Sequence, residues 1–398
     1  MAEEPIGALH GVKVLDAGRY VAGPWCAELL LGLGADVLRV ERPSGGEDRW
    51  LFPVGSTDGD GAFFVHCNRG KRAMTLHATS PEGREIMGRL VDWADVIVAN
   101  MPDDSLVTMG LDWDTVHARN PRAVLATATT FGNVGPYAGR LGFDGIGQAM
   151  SGSVHMNGLP GRPMKSFVPW VDYTTAGMLA LGVTAALLQR VRTGEGTRVE
   201  GSLLGSALAT TGHVLAEQSA LHLDRHGTGN RHPAAGPSDI VSTADGAVQL
   251  QVVGNPMFAR WCTAVGRPDL VDDPRFGTDE DRGAHGEALS EIAAAWCRTR
   301  TTAQVLTELA ATGIPAGPLY TLQQTLDDPH VRATMLDAAT LPGLDAPLAV
   351  VKPPLRLDTG SVPLADRAPT LGEHTESVLR TFGYGDDDLA RLRSARTI

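Results

Sequence analysis

The sequence predicts an α/β fold, with a parallel sheet built from strand–helix–strand units and a smaller α+β module late in the chain. Three observations carry this. Residues 11–17 (GVKVLDA) have strand character, residues 25–33 read as a helix with Pro24 just inside its start, and residues 37–41 read as a second strand. A strand, a crossover helix and a strand in that order form a right-handed unit with parallel strands. The pattern then repeats, with a helix over 81–94 and strands over 95–99 and 123–129. After residue 240 the pattern changes. Residues 240–244 and 248–253 flank Asp245-Gly246, a hairpin turn pair, and helices follow over 256–265, 285–298 and 302–311.

Length and charge bound the rest. A chain of 398 residues suggests two or three domains at roughly 150 residues each. A net charge of −12 argues against nucleic-acid binding, and a polyanionic ligand would need a local basic pocket. The most apolar stretch, 178–188, is too short to span a membrane. The opening MAEEPIGALHG lacks the basic start and apolar run of a signal peptide. Cys26, Cys67, Cys262 and Cys297 are far apart without a C-x-x-C pair and read as small core residues. A reduced, cytoplasmic protein is expected. His222 and His226 lie four apart but lack a third ligand, so no metal site is assigned.

Residues 160–204 organise the chain. Asp172 follows the apolar residues Phe167, Val168, Trp170 and Val171 and opens a long helix, nearly apolar all round and so expected to be buried. The helix stops at a basic turn, residues 189–192, followed by Thr193-Gly194-Glu195-Gly196. Two compatible readings stand for Asp172. It is an N-cap accepting from the N–H groups of Thr174 or Thr175, or it is a nucleophile that the helix start keeps ionised. Residues 199–204 read as a strand or a helix start.

Ligands of such sheets bind outside the carboxyl ends of the strands, which points to residues 19–23, Glu41 and Arg42. Gly32-Leu33-Gly34 follows the helix instead of preceding it, so it is no dinucleotide fingerprint. Arg42 is either a surface residue or a phosphate partner. Asn68-Arg69-Gly70-Lys71-Arg72 is either a solvated turn or a source of positive potential at a site. Asn100 closes a strand, where its amide can reach a ligand. The aromatic content, 5%, offers no visible stacking cage.

The stretch 160–204, with its Asp, its Ala/Leu helix and R-x-x-T-G-E-G-T-R-V, resembles the central signature of class III CoA-transferases, the CaiB/BaiF family. Residues 11–50 are similar to the opening of those proteins, with A-G-P and G-A-x-V-x-x-V-E-x-P. The segments N-x-x-K-R at 68–72, G-N-x-H-P at 229–233, G-I-P-A-G-P at 313–318 and L-G-E-H-T at 371–375 agree in order, the last read as structural.

The resemblance implies a Rossmann-like large domain made by both chain ends, a smaller α+β domain and an interlocked homodimer. The implied divisions are 1–220 for the CoA-binding domain, 221–330 for the small domain with linkers, and 331–398 for the return. Extended linkers near 205–240 and 320–355 would suit such threading. The implied activity is transfer of CoA from an acyl-CoA to a carboxylic acid through a covalent intermediate on Asp172, with CoA as substrate and no permanently bound cofactor. Val21 and Ala22 fall where formyl-CoA transferases contact CoA or the reacting carbonyl. Val21 replaces their Gln and removes a donor. Arg42, Leu76, Thr79, Asn100 and Met101 are carried over as CoA contacts, and Asp144 as a polar group near the thioester or a cap for residues 145–150. The related alpha-methylacyl-CoA racemases use a His where this chain has Phe143, and a phenyl ring moves no proton. An acyl-CoA racemase or epimerase, or a non-catalytic acyl-CoA-binding protein, remain as alternatives. The acids themselves stay open, with dicarboxylates, carnitine-like acids and bulky acids as candidates.

Overall fold

The computed structural model describes residues 7–54, 61–341 and 344–398; the first six residues of the opening segment lie outside it. Six strands form the central sheet: β1 (Lys13–Asp16), β2 (Asp36–Glu41), β3 (Arg72–Thr75), β4 (Val96–Ala99), β5 (Val124–Thr129) and β6 (Arg198–Ser202). Their spatial order is β3–β2–β1–β4–β5–β6 and every pairing is parallel. The order reverses between β1 and β4, and a crevice opens at the carboxyl ends of strands at such a switch point.

Short apolar strands suit this sheet because both faces are covered. Successive side chains point to opposite faces. Val14, Val37, Val96, Val98 and Val124 enter one core cluster, while Leu15, Leu38, Ile97 and Leu125 enter the other. Helix α1 (Ala22–Gly32) covers the first face, and α2 (Pro81–Trp93) covers the second. The short α3 (Asp144–Met150) precedes α4 (Trp170–Thr193), which lies on the α1 face. Residues 199–204 resolve into both readings, the end of β6 and the start of α5 (Leu203–Leu221).

Helix α4 has 24 residues and is long and apolar enough in composition to cross a membrane. It buries Val171, Thr175, Ala176, Leu179, Val183 and Leu187 against the sheet, as a core helix does. The expectation of burial all round is corrected on its other face. Met178, Leu181, Leu188 and Val191 are exposed in the single chain.

The chain end returns to this sheet. Helices Thr375–Thr381 and Asp386–Ser394 supply Val378, Leu379, Leu389 and Leu392 to the α2-side core. His374 Nδ1 accepts from the Ala73 N–H at 3.1 Å, and Thr375 Oγ1 accepts from the Thr75 N–H at 3.0 Å. The 371–375 segment thus fastens the C-terminus to edge strand β3.

Two compact units divide the chain: Met1–Ser151, Ser166–Ala216 and Pro329–Ile398 form one, and Gly152–Lys165 with Glu217–Asp328 the second. The second has a three-stranded antiparallel sheet, β7 (Ser238–Ser242), β8 (Ala247–Gln251) and β9 (Ala316–Pro318), with β8 central. Its core gathers Phe258, Trp261, Leu289, Val305 and Leu309. Asp245 of the hairpin turn accepts from the Thr302 N–H at 2.7 Å and so caps the helix Thr302–Ala311. The stretch 205–240 is not extended throughout, because its first half is the body of α5.

Candidate active site

At the switch point lies a cleft of about 630 Å3. One wall is the loop after β1. Asp16, wholly buried, accepts from the Gly18 N–H at 2.9 Å. Asn100, at the end of β4, accepts from the Arg19 N–H at 2.7 Å and donates to the Arg19 carbonyl at 2.8 Å. Both ends of its amide therefore hold the loop. Tyr20 follows with φ of 59°, a left-handed conformation that costs a non-glycine residue of order 1–3 kcal/mol and persists where its surroundings fix it. Its ring meets Phe143 edge to face at 5.7 Å. Helix α1 then starts at Ala22, leaving first-turn N–H groups without intrahelical partners at the cleft.

The other wall carries Asp172, in the first turn of α4. Pro169 is the N-cap residue, so Asp172 is the third helical position and not the cap. Asp144 supplies the cap from another helix. Its Oδ2 accepts from the N–H groups of Val171 at 2.8 Å and Asp172 at 3.2 Å. It lies in the first turn of α3 without capping that helix. The Asp172 carboxylate has no hydrogen-bond partner among the described residues. Burial first, and the charge of Asp144 second, push its carboxyl up to about 7. Desolvation and a like charge thus act against the ionised form expected at the helix start.

Ala22, Thr79, Asn100, Met101 and Asp172 all line the cleft. Val21, Arg42, Leu76 and Asp144 are not among its lining residues. Val21 and Leu76 are core side chains, exposed by 0% and 2%. Arg42 is exposed and pairs with Glu47 at 2.6 Å. Arg19 and Tyr20, within the 19–23 edge that the strand order pointed to, also line the cleft, and so does Arg140, which sequence reasoning missed. Neither Arg19 nor Arg140 has an ion-pair partner among the described residues. Aromatic groups do gather in this unit: Trp25 stacks on His66 at 4.6 Å and meets Tyr173 edge to face, and Phe52 neighbours Phe63 and Phe167.

The basic turn 68–72 does not line the cleft, and of its cations Arg69 and Lys71 are buried while Arg72 is partly exposed and pairs with Asp36. Lys71 is buried, with Nζ at 2.7 Å from Asp16, 2.7 Å from the Pro24 carbonyl and 2.9 Å from Asn68. Arg69 is buried and faces Asp337 at 3.5 Å. Arg39 adds contacts to Asp16 at 3.4 Å and Asp48 at 2.7 Å. A buried carboxylate needs such counter-ions. Asp16 thus joins β1, β2 and the turn beneath the loop that shapes the cleft.

The model of CoA-transferase family III matches residues 9–375. Succinate–glutarate CoA-transferase of Agrobacterium fabrum is 35% identical over 389 residues, covering 93% of this chain and 94% of that protein. Succinyl-CoA–D-citramalate CoA-transferase of Chloroflexus aurantiacus is 33% identical over 402 residues, covering 100% of both. The crystal structure of a CAIB/BAIF family protein from Brucella suis superposes with a TM-score of 0.82 at 31% identity, covering 94% of this chain and 99% of that one.

Proposed function

This chain belongs to CoA-transferase family III and moves CoA between an acyl-CoA and an acid; from that premise we propose that Asp172 is the nucleophile and that the acids are short dicarboxylates. The observation that carries the assignment is the Asp172 carboxylate, without a hydrogen-bond partner among the described residues, on the wall of the switch-point cleft, which Ala22 at the start of α1 also lines.

A carboxylate oxygen of Asp172 attacks the donor thioester carbonyl. The C–S bond breaks, CoA leaves as thiolate and a mixed anhydride forms. The thiolate attacks the aspartyl carbonyl, the anhydride C–O bond breaks, and the donor acid departs as its carboxylate. The acceptor carboxylate attacks the aspartyl thioester and again expels the thiolate. The thiolate then takes the acceptor acyl carbon and releases Asp172. Each step develops an oxyanion, and the N–H groups of Ala22 and Gly23 are the donors we assign to it. No proton is gained or lost over the cycle.

The dicarboxylate reading is supported by the two relatives, whose names specify succinate with glutarate and succinyl-CoA with D-citramalate. Arg19 and Arg140, without ion-pair partners among the described residues, add cations suited to a second carboxylate or a CoA phosphate. We assign CoA binding to the first unit and read the enzyme as a cytoplasmic, interlocked homodimer. The exposed apolar residues of α4 support a partner on that helix. The test is CoA exchange from succinyl-CoA to a panel of acids. Turnover with C4–C5 dicarboxylates and not with monocarboxylates of equal length is expected; the reverse preference would reject the substrate class.

A further inference from the structure

We propose that Asp144 and Gln148, one turn apart on α3, are positioning residues whose hydrogen-bond polarity holds residues 166–172, and with them the Asp172 carboxylate, in place for attack. This rests on the assignment of Asp172 as the nucleophile and adds what keeps it placed.

The two side chains make one network. Asp144 Oδ2 accepts from the N–H groups of Val171 and Asp172, and its Oδ1 accepts from Gln148 Nε2 at 2.5 Å. Gln148 Oε1 accepts from the Ser166 N–H at 2.9 Å, and its Nε2 also reaches the Val168 carbonyl at 3.4 Å. Asp144 and Gln148 are exposed by only 8% and 1%. The approach of α3 to α4 depends on Gly147, where an added Cβ would lie 3.0 Å from Val171 Cγ1. Both ends of the segment before the nucleophile are therefore tied to a neighbouring helix.

The direction of each bond is fixed by what the partners can do. Val171, Asp172 and Ser166 offer backbone N–H groups, which only donate. Asp144 must accept on both oxygens, because Gln148 turns its NH2 toward it in order to keep its carbonyl for Ser166. With Asp144→Asn, a side chain that still caps α4 would face Gln148 donor to donor. Flipping Gln148 would mend that contact and set an NH2 against the Ser166 N–H. With Gln148→Glu alone, the new carboxylate still accepts from the Ser166 N–H but faces the Asp144 carboxylate acceptor to acceptor. Combining Asp144→Asn with Gln148→Glu lets the new amide donate to the new carboxylate and so restores the Asp144–Gln148 and Gln148–Ser166 contacts with the first reversed in direction, while the long contact to Val168 is lost.

The test compares Asp144→Asn, Gln148→Glu, the double variant and Gln148→Met in a rapid-quench assay. Succinyl-CoA is the donor, hydroxylamine traps the acylated enzyme, and the adduct is mapped by peptide mass. Asp144→Asn and Gln148→Glu are each expected to slow adduct formation at saturating donor about tenfold or more, with donor KM little changed. The double variant should recover to within about threefold of the unaltered enzyme. Gln148→Met keeps the cap but removes the acceptor for the Ser166 N–H, and should slow the adduct step alone. Adduct formation at the unaltered rate in Asp144→Asn or in Gln148→Met overturns the proposal. So does a double variant as slow as Asp144→Asn while its urea midpoint matches the unaltered enzyme. Absence of any adduct at Asp172 in the unaltered enzyme fails the nucleophile assignment instead.

Discussion

Attack by Asp172 requires its anion, so the environment that lifts its carboxyl sets a pH profile. Burial and then Asp144 raise it from 3.8 to about 7. In the free enzyme about 1% is ionised at pH 5 and about 90% at pH 8. kcat/KM for succinyl-CoA should therefore fall about hundredfold from pH 8 to pH 5, about tenfold per pH unit on the lower limb. An unshifted carboxyl would leave the profile flat over that range. Stability runs the other way. Between 3.8 and about 7 the folded chain holds a proton on Asp172 that the unfolded chain has lost, so stability falls as pH rises through this window. Asp172→Asn removes that cost. It should be inactive yet more stable at pH 8, by at most about 4 kcal/mol and by less because the carboxyl keeps some solvent. The gain should shrink toward pH 5. Stopped-flow thiol release across pH, with urea unfolding of both proteins at pH 5 and 8, measures both arms. A flat profile together with a pH-independent stability difference would refute the reasoning.

Lys71→Met leaves the buried Asp16 with Arg39 at 3.4 Å as its remaining counter-ion and should lower stability by about 2–4 kcal/mol in urea unfolding; a loss below about 1 kcal/mol would mean the cluster is dispensable. Asn100→Ala cuts both bonds to the Arg19 backbone and should raise the donor KM about tenfold in steady-state assays, with a smaller change in kcat. With Phe143 on the cleft wall and no proton-accepting side chain at that position, succinyl-CoA recovered from D2O should carry no enzyme-dependent deuterium at its α-carbon. Incorporation would revive the epimerase reading.

Local signals carried the sheet and the helices. Runs such as KVLD, VIVA and VLATAT suit strands covered on both faces, and the basic turn with Thr193-Gly194 after it marks the end of α4, where Gly194 takes φ of 81°. The misreadings are all non-local. Asp172 has the residue type and place of an N-cap, but the carboxylate that caps α4 comes from 28 residues earlier, and local spacing cannot register such a competitor. A signal for the clamp did exist in the i, i+4 spacing of Asp144 and Gln148 on one short helix. The turn 68–72 looked solvated because its charges were counted without their partners. Asp16, Arg39 and Glu41 stand in strands covered on both faces, and a charge there demands a buried counter-ion. The left-handed backbone of Tyr20 left no sequence signal, since it is imposed by the loop that Asn100 holds.

The central claim is that Asp172 carries the acyl group. Intact-mass spectrometry of the enzyme mixed with succinyl-CoA and quenched with hydroxylamine, beside Asp172→Ala, tests it most directly. The account predicts a modification that maps to Asp172 and is absent from the variant, which is inactive in exchange. An unmodified enzyme that still exchanges CoA, or a variant with undiminished activity, would contradict it.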